Sequence, residues 1–217
     1  MSSCCPGLCG SIARHFDTKL AKGDLKRYKA KGPNPTTSQL RDGIVRAGAG
    51  RTVLDVGAGI GAASFELLAA GFATAYTIDA APAYVAVAKR EAQGRGLASR
   101  MTMLEGDFLA TAATVPAADA VVMDRVVCCY PHFRPLLEQA LKRSNRLFAF
   151  SYPRDRWYVR LVVALDNLRR AAMRNAFRTA VHSATAMEEI ILANGFHLAG
   201  RTGTLAWCVD VYVRGAT

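Results

Sequence analysis

The stretch TVLDVGAGIGAASFELLAAG, residues 52–71, constrains this chain more than any other part of it. An apolar run, a glycine-rich turn and an apolar helical start follow without a gap, which is the order of a buried strand, a tight turn and the helix it feeds. That arrangement holds a nucleotide ligand at a helix N-terminus. Two spacings coexist in it: Gly57, Gly59 and Ala62 fit a G-x-G-x-x-G/A turn, while Gly57, Gly59 and Gly61 fit a G-x-G-x-G turn. The glycines alone leave the choice of ligand open.

Apolar strands recur at 52–56, 74–78, 101–104, 119–123 and 146–151 with helical stretches between them, so the expected core is a parallel sheet with crossover helices. The runs Phe196–Arg201 and Leu205–Val213 are separated by three residues and predict an antiparallel hairpin. After the fifth strand, Asp155 to about Met173 reads as an inserted helix with Trp157, Leu161, Leu165, Leu168 and Ala172 at helical spacing. Its apolar stripe is expected to be the water-excluding face of a lid. Residues 1–10 are expected to be irregular, and 12–30 to form one or two short helices anchored by Phe16, Leu20, Leu25 and Tyr28, ending at Gly32-Pro33-Asn34-Pro35. Thr36 or Thr37 then caps a helix through Ala47, with Leu40, Ile44 and Val45 buried. The expected organisation is an N-terminal cysteine-containing and basic segment, 1–35, and a ligand-binding domain, 36–217, with the insertion at about 153–183.

The residue two before the first glycine separates the ligands. A dinucleotide-binding strand keeps that position apolar, whereas here it is Asp55, which repels a pyrophosphate and suits the ammonium and sulfonium side of S-adenosylmethionine. Asp79, about 20 residues beyond the turn, accepts hydrogen bonds from ribose hydroxyls in either class of enzyme. Asp107 and Phe108, after the third strand, offer an acceptor for an adenine amine and a surface for its ring.

On VLDVGAGIG, TIDA, EGDF and VVMDRVVCCYP, the chain resembles the class I S-adenosylmethionine-dependent methyltransferases over residues 50–213. The resemblance implies a Rossmann-like α/β fold: a seven-stranded, mostly parallel sheet with a C-terminal antiparallel hairpin and helices on both faces. It implies that Asp55 with Gly57, Ala58, Gly59 and Gly61 meets the methionine end, that Asp79 and Ala80 meet the ribose, and that Gly106, Asp107 and Phe108 meet adenine, with Asp124 close by. The basic N-terminal segment and the arginine-rich insertion after SYPRDRW are similar to small-molecule enzymes of the magnesium-protoporphyrin O-methyltransferase-like type, without fixing a substrate. The N/D-P-P-aromatic stretch of nucleic-acid amine methyltransferases is replaced by Asp124-Arg125-Val126-Val127, and the Pro-Cys pair of cytosine C5 enzymes is missing, so a nucleic-acid acceptor is not expected.

Methyl transfer asks an enzyme to align the acceptor and exclude water more than to supply a strong base. Open parallel sheets place their ligand crevice beyond the strand ends, where Asp124, Arg125 and Tyr130 stand, and His182 before the next helix is the candidate base. Tyr28, Tyr130, Tyr152, Arg154, Arg156 and Trp157 are the candidates for the acceptor, the arginines because a guanidinium holds a carboxylate. A net charge of +11 favours an anionic partner, which could be a small acid, a nucleic acid or a membrane surface. The expected acceptor is a small anionic or weakly acidic molecule carrying a carboxylate, hydroxyl or thiol. Two alternatives stand beside it: thiol or metalloid methylation using Cys4, Cys5 and Cys9, and RNA binding by the basic N-terminal segment. No paired C-x-x-C spacing is present, so no metal is expected, and without a signal-like or membrane-spanning run the expected compartment is the cytoplasm.

Overall fold

The computed structural model describes residues 6–48 and 50–215. Strands β1 (Thr52–Val56), β2 (Thr74–Asp79), β3 (Met101–Glu105), β4 (Ala118–Met123), β5 (Ser144–Pro153), β6 (Phe196–Gly203) and β7 (Trp207–Arg214) form one sheet in the order β3-β2-β1-β4-β5-β7-β6. The pairings from β3 to β5 are parallel, and β7 runs antiparallel to both β5 and β6. The strand order reverses between β1 and β4, which opens a crevice at their carboxyl ends.

Helices α1 (Pro6–His15), α2 (Thr18–Lys31), α3 (Pro35–Arg46), α4 (Ala62–Ala69), α5 (Pro82–Gly94), α6 (Phe108–Thr111), α7 (Phe133–Arg143), α8 (Trp157–Ala172) and α9 (Ala184–Ala193) surround the sheet. Successive strand residues alternate between two cores. Val121 and Met123 of β4 join Leu136 and Leu137 of α7 and Ile190 of α9 on one face. Ala120 and Val122 join Ile44 of α3, Phe65 of α4 and Tyr28 of α2 on the other. Such packing fixes the strand ends, and with them the loops that carry the polar side chains.

Several local expectations are corrected. Residues 6–10 are helical, as the start of α1. Leu20 and Val45 are exposed, while Leu40 and Ile44 fill the core as expected. Pro35 opens α3, with Asn34 at the cap position, and Thr37 turns its hydroxyl to Asp124 instead of capping. The largest departure is α8. Its period is as read, but only Val159 is buried, and Trp157, Leu161, Leu165 and Leu168 face outward at 76, 52, 57 and 67% exposure. Asp166, Asn167 and Arg170 face inward, held by an Arg170–Asp166 ion pair and by bonds from Asn167 and Arg170 to Thr179. Inward polar groups outcompete the apolar stripe because they find partners there.

Candidate active site

At the carboxyl ends of β1, β2 and β4 lies a cavity of about 640 Å³. Its floor is the glycine turn, where Gly57, Gly59 and Gly61 have φ of +67°, +57° and +83°. Such values favour residues without a Cβ, and a Cβ on Gly57 would also lie 2.5 Å from Val126 Cγ2. The turn therefore brings bare backbone to the cavity.

Five carboxylates line it, with Asp107 behind them: Asp166 and Asp24 belong to the roof side, Asp24 accepting the Tyr84 hydroxyl at 2.6 Å, and the four near the strand ends are each held differently. Asp55 is buried, with its Oδ2 accepting from the Ser64 hydroxyl at 2.8 Å, and burial pushes its pKa up to about 7. Asp79 accepts the Gly59 N–H at 2.7 Å and the Ala81 N–H at 2.8 Å; burial raises its pKa against these two bonds. Asp107 accepts the Tyr130 hydroxyl on Oδ1 at 2.6 Å, and its other oxygen, Oδ2, is buried without a hydrogen-bond partner among the described residues. Asp124 accepts the Thr37 hydroxyl at 2.5 Å on Oδ2 and the Ser151 hydroxyl at 2.6 Å on Oδ1.

Arg125 follows with φ of +60°, a strained value for a residue with a side chain. Its N–H donates to Ser151 Oγ at 2.7 Å, its Nε lies 3.8 Å from Asp124 Oδ1, and its half-exposed side chain lines the cavity. The adjacent Cys128 and Cys129 line the same wall, their thiols turned to the Arg125 carbonyl at 3.4 and 3.7 Å. The Cys128 neighbour and burial push the Cys129 pKa up, so this thiol is held protonated.

A buried acceptor oxygen with no donor costs on the order of 1–3 kcal/mol, and a ligand that brings an N–H to Asp107 Oδ2 removes that cost. The exocyclic amine of adenosine is such a donor, so these residues fit S-adenosylmethionine. Residues 53–149 match the family described as "Methyltransferase domain". The matched stretch is that of an S-adenosylmethionine-dependent methyltransferase domain. No curated protein matches its sequence. The fold is similar to that of magnesium protoporphyrin IX methyltransferase from Synechocystis PCC 6803 with bound SAH, at 19% identity and a TM-score of 0.73, over 94% of this chain and 98% of that one. The same Synechocystis protein with bound SAM aligns at 19% identity and a TM-score of 0.72, over 99% and 100%. An O-methyltransferase family protein from Burkholderia thailandensis aligns at 16% identity and a TM-score of 0.73, over 93% of this chain and 62% of that one.

Asp55, Gly57, Ala58, Gly59, Asp79, Ala80, Gly106, Phe108, Asp124, Arg125 and Tyr130 line the cavity, whereas Gly61, at the start of α4, does not. Asp107 stands immediately behind this lining. Tyr130 is part of the wall, but its hydroxyl is directed to Asp107.

The other predicted side chains are elsewhere. His182 Nε2 lies 2.9 Å from the Tyr130 carbonyl and 3.2 Å from that of Val127, and burial lowers its pKa; it ties two loops together and is not positioned as a base. Tyr28 is buried against Phe65 and donates to Glu66 at 2.9 Å, and Tyr152 is buried in the opposite core, donating to Asp210 at 2.9 Å. Arg154 braces the β6–β7 turn through the Thr204 carbonyl at 2.8 Å. Arg156 is exposed just before α8, and Trp157 points to solvent. None of these six residues lines the cavity.

Their place in the roof is taken by side chains the sequence did not mark as site residues. The His15 ring stacks on Phe177 at 4.4 Å, Phe16 meets Phe177 and Tyr84 edge-on, and Asn175 Nδ2 lies 2.9 Å from His15 Nδ1. Burial first, then Arg170, lowers the His15 pKa. Arg170 itself lies over Phe177 at 5.2 Å. The only local signal was the Asp166, Arg170 spacing, which equally describes a solvated helix face. Cys4 and Cys5 lie outside the described residues, as does the Cys9 side chain; among the described residues no group of His, Cys, Asp or Glu could hold a metal ion.

Proposed function

We propose that the enzyme methylates a small molecule carrying an acidic group, at an oxygen atom, with Arg125 orienting that group. The observation that carries this reading is the placement of Arg125: a guanidinium in the cavity wall, beside Asp124, on a strained backbone that Ser151 holds in place. Backbone strain persists where the surroundings over-determine it, and a carboxylate acceptor needs a cation among the cavity's carboxylates; of the other guanidiniums in the lining, Arg170 is paired with Asp166 and Arg27 is turned to the Gly32 carbonyl. The likeness to an O-methyltransferase family protein and to a magnesium protoporphyrin IX methyltransferase supports oxygen as the methylated atom and a small-molecule acceptor.

When bound, S-adenosylmethionine supplies a methyl group activated by its sulfonium. The residues that would hold it divide by chemistry. Asp79 would accept from the ribose hydroxyls, and Asp107 Oδ2 from the adenine amine, with Phe108 against the ring. Asp55 and the glycine turn would meet the cationic methionine end. Asp124 is occupied by Thr37 and Ser151, so its work is to fix the β4 loop and the backbone of Arg125. An ionised acceptor needs no strong base, and the aromatic roof of Phe16 and Phe177 keeps water from the reacting centre.

Arg125→Gln tests this reading. Turnover of acidic candidate acceptors should fall by about tenfold to a hundredfold, as expected for a lost charge-assisted pair, with S-adenosylmethionine affinity retained in calorimetry. Unchanged turnover of an acidic acceptor by Arg125→Gln would sink it.

A further inference from the structure

The face of α8 that looks away from the sheet is apolar along its length. Trp157, Leu161, Leu165 and Leu168 recur on one stripe, Met173 continues it at 69% exposure, and Leu205 of the β6–β7 turn extends it at 81%. Tyr158 ties the two together, its hydroxyl donating to the Leu205 carbonyl at 2.9 Å. On a helix of 3.6 residues per turn, Arg160 falls on one border of the stripe and Arg169 on the other. Over residues 154–178 there are seven arginines against two aspartates, with no lysine or glutamate. Both aspartates are already engaged, Asp155 with Arg160 and Asp166 with Arg170.

We infer that this face docks on an anionic lipid surface, with the α8 stripe seated among the acyl chains and the bordering arginines at the headgroups. Long basic side chains beside an apolar stripe let the stripe sink while the charge stays at the polar boundary. A net charge of +11 adds a long-range attraction to the same surface. A second copy of this chain is a poorer occupant, because a two-fold contact through α8 would bring two arginine-bordered stripes together with no free carboxylate between them. The helix lies on the membrane and does not cross it: no helix among the described residues is long and apolar enough to span one. Val162 is exposed on α8 and also lines the cavity, so docking brings the cavity's rim to the lipid.

The test is sedimentation of the full chain with vesicles of equal phosphatidylglycerol and phosphatidylcholine, and with vesicles of phosphatidylcholine alone. The protein should follow the anionic vesicles and leave the neutral ones, with binding that weakens as salt rises. The chain has two tryptophans, so Trp207→Phe leaves Trp157 as reporter, and its emission should shift to the blue on the anionic vesicles. Leu161→Glu and Leu165→Glu, at exposed positions, should each weaken vesicle binding by roughly tenfold or more while keeping cofactor affinity. Failure to bind anionic vesicles, or equal binding by the glutamate variants, overturns the inference. So does a dimer in sedimentation equilibrium that Leu165→Glu splits while vesicles are ignored, which would make the face a subunit interface.

Discussion

On the cavity floor, apolar side chains go into the sheet and polar ones to the strand ends, so Leu54 and Val56 are buried on either side of Asp55 in β1. In the roof the sorting is reversed: α8 turns Asp166, Asn167 and Arg170 inward and its leucines outward. Helix α7 shows the usual orientation on a shorter element, with Leu136, Leu137, Ala140 and Leu141 all buried. Amphipathic period is therefore a property of the helix alone, while the direction of its apolar face depends on what each side meets. A floor made from backbone turns and buried strands is stiff and intolerant of change; a roof held by polar contacts and one aromatic cluster is not.

The largest expected effect lies in the floor. Gly57→Val forces a β-branched residue into φ of +67° and into Val126, and should cost about 3–5 kcal/mol of unfolding free energy in urea titration. A stable Gly57→Val protein would break the picture of a rigid floor. Next comes Asp79→Ala, which should keep the fold and lose about 1–3 kcal/mol of S-adenosylmethionine binding in calorimetry; unchanged affinity would remove the ribose from this carboxylate.

A smaller effect follows from Asp55. Because its folded pKa is raised to about 7, its contribution to stability is present below the ordinary carboxylate range and is lost as pH rises through about 7. Binding of the cationic methionine end favours the ionised form. Cofactor affinity should therefore increase with pH up to about 7, by at most about tenfold per unit, with proton release on binding below that pH. Flat affinity between pH 5.5 and 8 would separate Asp55 from the ligand's charge. The smallest effect belongs to the roof: Leu165→Ala should change stability in solution by no more than about 0.5 kcal/mol. A loss of 2 kcal/mol or more would mean that the outward stripe is packed against something even in dilute solution.

The sheet, its closing hairpin and the floor were legible because each rests on a short stretch of chain. A strand, a glycine turn and a carboxylate two residues before it sit within ten residues, and local backbone geometry places them. The roof depends on partners far apart in sequence. His15 meets Asn175 and Phe177, and nothing near residue 15 announces either contact. Position after the fifth strand points the insertion toward the cavity, whose lining includes its Val162, Val163, Asp166 and Arg170. It could not tell Arg170 from Arg154, since backbone carbonyls of the hairpin turn compete for the latter. Tyr28 and Tyr152 show the same limit: an aromatic with a hydroxyl suits an acceptor site and a core equally, and here Glu66 and Asp210 decide for the core.

The position of β7 has a consequence for how the molecule is assembled. β7 lies between β5 and β6, and β6 has no other neighbour in the sheet. While β7 is still undocked, β5 presents an open edge containing Leu147, Phe148 and Phe150, a long apolar strand of the kind that pairs with other chains. β6 cannot cover that edge, since it reaches the sheet only through β7. The docking of one strand thus ends the period in which a refolding chain is most liable to aggregate, and in crowded refolding the yield should be set by how quickly β7 arrives.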